Sequence, residues 1–281
     1  MACAIGIGLP AIFFMNKYLF FLDIDGTLIK PNQKPNTTKL PSVIKTFLKK
    51  GALFGLNSNR SFEDVKPVYK EFGLNGPIIL ENGVYFCRTI DSDKEFLISQ
   101  PKNVQRISEE ALKSFIKDEK LNCKFRCTDT VAIIKSKELN KTSLGIFLNK
   151  YRKYTGSVHI FRNGERDYKL AKALGSYLDD YFNKNGFDMF VEATESFGNV
   201  VFWPKSANKA MALRKLKKYY PDYKFIMIGD DLADAETREM VSHFFAVSNA
   251  SDKVRKNADL VSKEPYTLGV IEIIKHVYSM L

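Results

Sequence analysis

The chain has 281 residues, 45% of them hydrophobic and 27% charged, which excludes a disordered chain, a collagen-like repeat and a bundle of membrane helices. Lys and Arg number 43 against 32 Asp and Glu, a formal net charge of +11. The basic residues are spread along the chain, without dense runs interleaved with aromatics. They read as a solvated surface or as a field that gathers small anions, and not as a nucleic-acid surface. Cys3, Cys87, Cys123 and Cys127 are too few for a disulfide framework, and Cys123 and Cys127 lack the second pair a zinc site needs. The expectation is a reduced, cytoplasmic protein, monomer or homodimer, with no membrane partner.

The first stretch, MACAIGIGLPAIFF, is apolar but has no basic n-region of a secretory signal. A membrane helix needs about 20 apolar residues, and extension to Leu22 meets Gly6, Gly8, Pro10, Asn16 and Lys17. Residues 1–15 are therefore expected to be an N-terminal extension, of which 1–14 are dispensable and Met15 is a natural start.

In chain order, Tyr18–Leu22 reads as a strand ending at Asp23. Leu40–Lys50 reads as a helix closed by Gly51. Ala52–Leu56 is a second strand, and Ser61 caps a helix to Phe72 with Glu63 and Asp64 in its first turn. Pro77–Leu80 is a third strand. The rhythm resumes late: helix Asn208–Tyr220, strand Lys224–Ile228, helix Asp234–Val241, strands Phe244–Val247 and Asp259–Val261, helix Thr267–Met280. Strands alternating with helices imply an α/β fold, a Rossmann-like doubly wound parallel sheet. The middle differs, with helices expected over Val104–Lys120, Leu139–Tyr154 and Lys169–Lys184. Strands are expected over Val131–Lys135, Val158–Phe161, Met189–Glu192 and Val200–Trp203. It reads as an inserted α+β cap domain over 84–199, within a core made of 16–83 and 200–281.

The chemistry-bearing residues sit where the strands end. Asp23-Ile24-Asp25-Gly26-Thr27 places two carboxylates one residue apart, which suits a nucleophile and a general acid/base aimed at one centre. A calcium loop would follow a helix and end in Glu, and neither holds here. Gly229-Asp230-Asp231-Leu232-Ala233-Asp234 delivers further acids; carboxylates from neighbouring strand ends suit Mg²⁺. The competing reading is that Asp230 or Asp231 caps the next helix. Ser58, with Asn59 and Arg60, opens a helix and offers a hydroxyl and backbone N–H groups to phosphate oxygens. Lys209 can neutralise both a carboxylate and a phosphoryl group.

Taken in order, these motifs resemble the haloacid dehalogenase superfamily of phosphohydrolases across 16–83 and 200–281. Glu81-Asn82-Gly83 and the insertion after the third strand are similar to its class II branch, which carries a mixed α/β cap. The resemblance implies that Asp23 forms an aspartyl-phosphate and that Asp25 protonates the leaving alcohol, then activates water. It implies Mg²⁺ held by Asp23, the Asp25 carbonyl and Asp230, with Asp234 in or near that shell. Ser58 and Lys209 would bind phosphoryl oxygens, joined by Asn59, Arg60, Asn82 and Gly83. Departures are Ala233, where relatives carry Asn or Thr, and Asn59 before Arg60, where Gly is usual. In the cap, His159, Arg162, Asn163, Glu165 and Arg166, with Phe197, Gly198 and Asn199, are candidates to read a sugar hydroxyl or a carboxylate. For the 159–166 group the competing reading is a charged surface turn around Gly164. The implied activity is hydrolysis of a small phosphorylated metabolite, with a sugar phosphate first. A phosphoglycolate-type phosphoacid and a phosphomannomutase-like transfer are the alternatives.

Overall fold

The structure, a computed structural model, describes residues 17–135, 143–194 and 198–279. The expected N-terminal extension and Phe197 lie outside the described residues. The first part of the chain forms β1 (Lys17–Leu22), α1 (Leu40–Leu48), β2 (Leu53–Asn57), α2 (Phe62–Phe72), β3 (Ile78–Leu80), β4 (Tyr85–Cys87) and β5 (Lys94–Phe96). The middle forms α3 (Val104–Asp118), β6 (Lys124–Thr128), α4 (Thr130–Lys135), β7 (Leu144–Asn149), β8 (Gly156–Arg162), β9 (Glu165–Arg166), α5 (Tyr168–Lys184), β10 (Met189–Thr194) and β11 (Asn199–Pro204). The last part forms α6 (Lys209–Leu216), β12 (Tyr223–Gly229), α7 (Leu232–Ala235), β13 (His243–Ala246), α8 (Asp252–Asn257), β14 (Leu260–Val261) and α9 (Tyr266–Ser279).

One sheet has eight strands in the order β14-β13-β12-β1-β2-β3-β4-β5. The run from β14 to β3 is parallel, and β4 and β5 add antiparallel strands at the edge. From β1 the chain winds outward through β2 and β3; from β12 it winds the other way. The reversal falls between β1 and β12, where an open α/β sheet leaves a crevice at its carboxyl end. Side chains of β1 alternate between the faces, as the strand period requires. Tyr18, Phe20 and Leu22 pack with residues of α1, α2 and α9, while Leu19 and Phe21 pack with Ala212, Leu213 and Leu216 of α6. Both faces are covered, which is why these strands read as near-continuous apolar runs.

The second sheet runs β10-β11-β8-β7-β6, with β9 paired to β8. Helices α3 and α5 cover one face through Leu112, Phe115, Leu174 and Leu178. No helix among the described residues is long and apolar enough to cross a membrane.

Several expected elements differ. Val131–Lys135, expected as a strand, lies in α4, because the Asp129 carboxylate accepts from the Ala132 N–H at 2.9 Å and starts a helix there. Leu139–Tyr154, expected as a helix, contains β7. Leu144, Ile146 and Leu148 of β7 face one apolar cluster and Phe147 faces another, so no alternation marks it as a strand. Strand β6 was not expected. The helix expected at Asp234–Val241 is shorter: α7 ends at Ala235 and a 3₁₀ turn follows at Arg238–Met240. There the Thr237 hydroxyl donates to the Asp234 carbonyl. Sheet membership also changes later than 84 and 199: 85–96 belongs to the eight-stranded sheet and Asn199–Pro204 to the second.

Candidate active site

The carboxyl ends of β1 and β12 open into a cavity of about 690 Å³, roofed by the second sheet. Asp23, Asp25, Ser58, Asn59, Arg60, Lys209 and Asp230 line its floor, and Arg152, His159, Arg166, Glu192 and Asn199 line its roof.

Lys209 stands at the centre of the floor. Asn208 caps α6 by accepting from the Met211 N–H at 2.6 Å, which sets Lys209 at the first helical position. The Lys209 Nζ donates to Asp23 Oδ1 at 2.6 Å and to Asp234 Oδ1 at 2.7 Å, and all three side chains are buried. Burial alone would lower the Lys209 pKa; the charges of Asp23 and Asp234 outweigh it and hold the amine firmly protonated. Gly83 supports this placement: at φ +90° it brings the turn after β3 against α6, where a Cβ would lie 2.4 Å from the Asn208 carbonyl oxygen.

The acids converge from two loops. Carboxylate oxygens of Asp23, Asp230 and Asp234 lie within 4.8 Å of one another. Gly26 makes the approach possible, because at φ +91° it leaves the space occupied by the Asp230 carboxylate, 2.1 Å from where a Cβ would be. Thr27 Oγ1 donates to Asp230 Oδ1 at 2.7 Å. Burial pushes the Asp230 carboxyl up to about 8, reinforced by Asp234. Burial also raises Asp23 well above the usual range, against the pull of Lys209. The cluster thus gathers more carboxyl groups than the one Lys209 charge can hold ionised. Its donors are hard oxygens at one strand-end crevice, a set that fits Mg²⁺.

Asp234 differs from the other two. Its Oδ2 accepts from the N–H groups of Asp230 and Asp231 at 3.1 and 3.2 Å, and its Oδ1 from Lys209. Both oxygens are engaged within the protein, and Asp234 anchors the lysine and the loop. Asp231 caps α7 by accepting from the Leu232 N–H at 2.6 Å, so the helix-cap reading holds for Asp231 and not for Asp230.

Asp25 faces Arg60 in a two-point pair, with Nε to Oδ2 at 2.7 Å and Nη2 to Oδ1 at 2.6 Å. Burial acts to raise the Asp25 carboxyl, but the Arg60 charge and hydrogen bonds win and hold it below the usual value. Ser58 is buried at the floor, its Oγ accepting from the Arg60 N–H at 3.2 Å. Asn59 spends its Oδ1 on Arg152 of the roof at 2.9 Å.

Not every expected residue reaches the cavity. Asn82 and Gly83 lie in a buried turn beneath α6, outside the cavity lining. Arg162 is half-exposed and pairs with Asp167 at 2.7 Å, also outside the lining. The charged-turn reading therefore describes Arg162, Asn163 and Glu165, while His159 and Arg166 face the cavity. Arg152, Glu192 and Asn249 line it too and were not singled out from the sequence. Asn249 Nδ2 donates to the Gly26 carbonyl at 2.8 Å, a pairing across 223 positions that no local pattern reveals.

Floor and roof are joined by buried hydrogen bonds. Glu81 Oε2 accepts from the N–H groups of Tyr154 and Thr155 at 3.0 and 2.9 Å and from the Thr155 hydroxyl at 2.9 Å. Asn149 Nδ2 donates to Asp64 Oδ2 at 2.8 Å.

A family model of haloacid dehalogenase-like hydrolases matches residues 20–274. Phosphoglycolate phosphatase of Thermoplasma volcanium is 25% identical over 270 residues, covering 92% of this chain and 97% of that protein. The 5-amino-6-(5-phospho-D-ribitylamino)uracil phosphatase YitU of Bacillus subtilis is 23% identical over 278 residues, covering 94% and 98%. A haloacid dehalogenase-like hydrolase from Bacteroides thetaiotaomicron has the same fold, with a TM-score of 0.70 at 18% identity over 93% of this chain and 100% of that one. The crystal structure of Thermoplasma acidophilum 0175 gives a TM-score of 0.67 at 20% identity, covering 94% and 99%. With its strand-end acids, its reversed sheet and a family match over most of its length, the chain belongs to the haloacid dehalogenase-like hydrolases.

Proposed function

We propose that this phosphatase hydrolyses a small phosphomonoester through an aspartyl-phosphate on Asp23, with Mg²⁺ as cofactor. The observation that carries the reading is the Asp23–Lys209–Asp234 bridge beside Asp230 in one crevice. Asp23 and Asp230 would hold the ion, together with the Asp25 carbonyl; it would supply charge neutralisation to the phosphoryl oxygens. An Asp23 carboxylate oxygen attacks phosphorus as the ester P–O bond breaks, and Asp25 gives its proton to the leaving alcohol oxygen. Asp25 then takes a proton from water as that water attacks phosphorus, and the bond to Asp23 breaks to release phosphate and restore the carboxylate. Lys209 and Ser58 bind the phosphoryl oxygens, and Asp234 positions Lys209. Burial would raise an Asp25 carboxyl released from the Arg60 pair, toward the protonated state the first step needs. Phosphoryl transfer is accelerated mainly by positioning and charge neutralisation, which this floor is built to provide.

The cavity of about 690 Å³ has room for a leaving group of sugar size. That supports a sugar phosphate over the two-carbon acid named in the Thermoplasma volcanium relative. The test is phosphate release from a panel of sugar phosphates and phosphoacids, with Mg²⁺ and with chelator. Asp23→Asn controls for contamination. Metal-dependent release that is lost in the variant supports the reading. Phosphate moved between positions without net release would point instead to a phosphotransferase.

A further inference from the structure

One loop fastens the roof to the floor. Asn149 ends β7, Gly156 begins β8, and Arg152, Tyr154 and Thr155 lie between them. Asn149 reaches Asp64 in the first turn of α2, and Arg152 Nη1 reaches Asn59. The Tyr154 ring stands edge-on to Tyr85 of β4 and Phe96 of β5, with centroids 5.6 and 5.1 Å away. The opposite edge of the roof is not tied in this way. Among the described residues β10 makes no hydrogen bond or ion pair to the floor, and its Glu192 meets the like charge of Asp231 at the cavity.

Glu81 stands at the centre of the fastening. It is 1% exposed, and its Oε2 takes the Tyr154 and Thr155 amides and the Thr155 hydroxyl together. Hydrogen bonds to an ionisable acceptor are among the strong ones, and a carboxylate is tolerated at this depth only when it is so satisfied. The Thr155 hydroxyl also lies 3.3 Å from Arg152 Nη1, so the contact at Glu81 runs on to Arg152 and Asn59. The backbone is bent to make it. Glu81 at φ +48° and Asn82 at φ +59° precede Gly83 at φ +90°. Left-handed backbone is uncommon outside glycine, and two such residues in succession persist only where the surroundings hold them. Gly83 of the same turn lies against Asn208, the cap of the helix that presents Lys209. A single turn therefore touches both the helix that carries Lys209 and the loop that carries the roof.

We infer that Glu81 is a positioning residue: it fixes the 149–155 loop so that the roof meets the leaving group in register with Asp23 and Lys209. Glu81 lies outside the cavity lining and takes no part in the phosphoryl step. Its effect on turnover should therefore depend on whether the leaving group is large enough to reach the roof.

The test compares wild type with Glu81→Ala, Glu81→Gln and Thr155→Val, each with Mg²⁺. Hydrogen exchange is the direct readout, because the Tyr154 and Thr155 amides donate to Glu81. In Glu81→Ala they should exchange roughly 10- to 100-fold faster, the range for a hydrogen bond to a charged group, while amides of β1 and β12 keep their protection. The activity readout rests on the phosphatase reading and uses two substrates. The leaving group of acetyl phosphate is too small to reach the roof, and that of the fastest sugar phosphate in the panel is not. Glu81→Ala should lower kcat/KM on the sugar phosphate by roughly 10- to 100-fold, as misplacement does, and leave acetyl phosphate at the wild-type rate. Glu81→Gln keeps an oxygen for Tyr154 and Thr155 and should restore most of the loss. Thr155→Val removes the hydroxyl donor alone; it should move both readouts the same way by less, and it carries the test if Glu81→Ala does not fold. Unchanged exchange at residues 154 and 155 would overturn the inference. So would an equal fall on both substrates, because that marks general support of the floor through α6. If wild type releases phosphate from nothing, the phosphatase reading fails, and exchange still decides the joint.

Discussion

Lys209→Met removes the cation that bridges Asp23 and Asp234, and its cost follows from the geometry. The Lys209 Nζ lies 2.6 Å from Asp23 and 2.7 Å from Asp234, with side-chain exposures of 6%, 7% and 0%. Breaking a buried ion pair by deleting one partner costs about 3–5 kcal/mol. For a protein of this size each kcal/mol moves Tm by about 2–4 °C, so metal-free Lys209→Met should melt roughly 6–20 °C below wild type. The loss should shrink at low pH, where protons neutralise the acids, and Mg²⁺ should recover part of it. Scanning calorimetry at pH 5 and pH 8, with chelator and with Mg²⁺, makes the comparison. Turnover should fall by about 10²–10³, the range for loss of a preorganised charge-stabilising donor. A metal-free variant that melts with wild type at pH 8 would refute the claim that Lys209 holds the cluster together.

The wild-type cluster carries its own pH dependence. Asp23, Asp230 and Asp234 are all raised by burial, so the folded chain keeps protons that the unfolded chain has released. Stability without metal should therefore fall as pH rises from the ordinary 3.8 toward the value of about 8 at Asp230. A Tm series in chelator checks this, and Mg²⁺ should flatten it. Gly26→Ala puts a Cβ against the Asp230 carboxylate at φ +91°. It should cost about 10²-fold in activity by displacing that acid, with wild-type kinetics as the contrary result. Arg60→Ala removes the pair that depresses Asp25, and burial then raises that carboxyl. The pH–rate profile should move to higher pH, and an unmoved profile would separate Arg60 from the acid/base step.

The floor of the site was legible in the sequence because each part is local. An apolar run followed by Asp-x-Asp-Gly marks one strand end and an apolar run followed by Gly-Asp-Asp another, and two acidic ends imply the crevice between them. The roof was not legible. Strand β7 is buried on both faces, so its pattern matches a buried helix as well as a strand. Arg152 is tied to the floor by Asn59, a partner 93 positions away. Glu81 was noted as part of a motif, but its role in joining floor to roof depends on Tyr154 and Thr155, more than 70 positions on. Arg162 misled because charge beside a strand end looks the same whether it faces a cavity or a neighbouring acid.

The most direct test of the central claim is to trap the covalent intermediate. Enzyme turning over substrate with Mg²⁺ is quenched in acid and treated with borohydride, which reduces an acyl phosphate to an alcohol, and the chain is mapped by mass spectrometry. Asp25→Asn, given an aryl phosphate whose leaving group needs no proton, is slowed only in breakdown and should increase the yield. Reduction at residue 23 alone, absent without substrate, is the predicted result. Reduction at residue 25 or residue 230, or sustained turnover with no reduced residue in either protein, would contradict it.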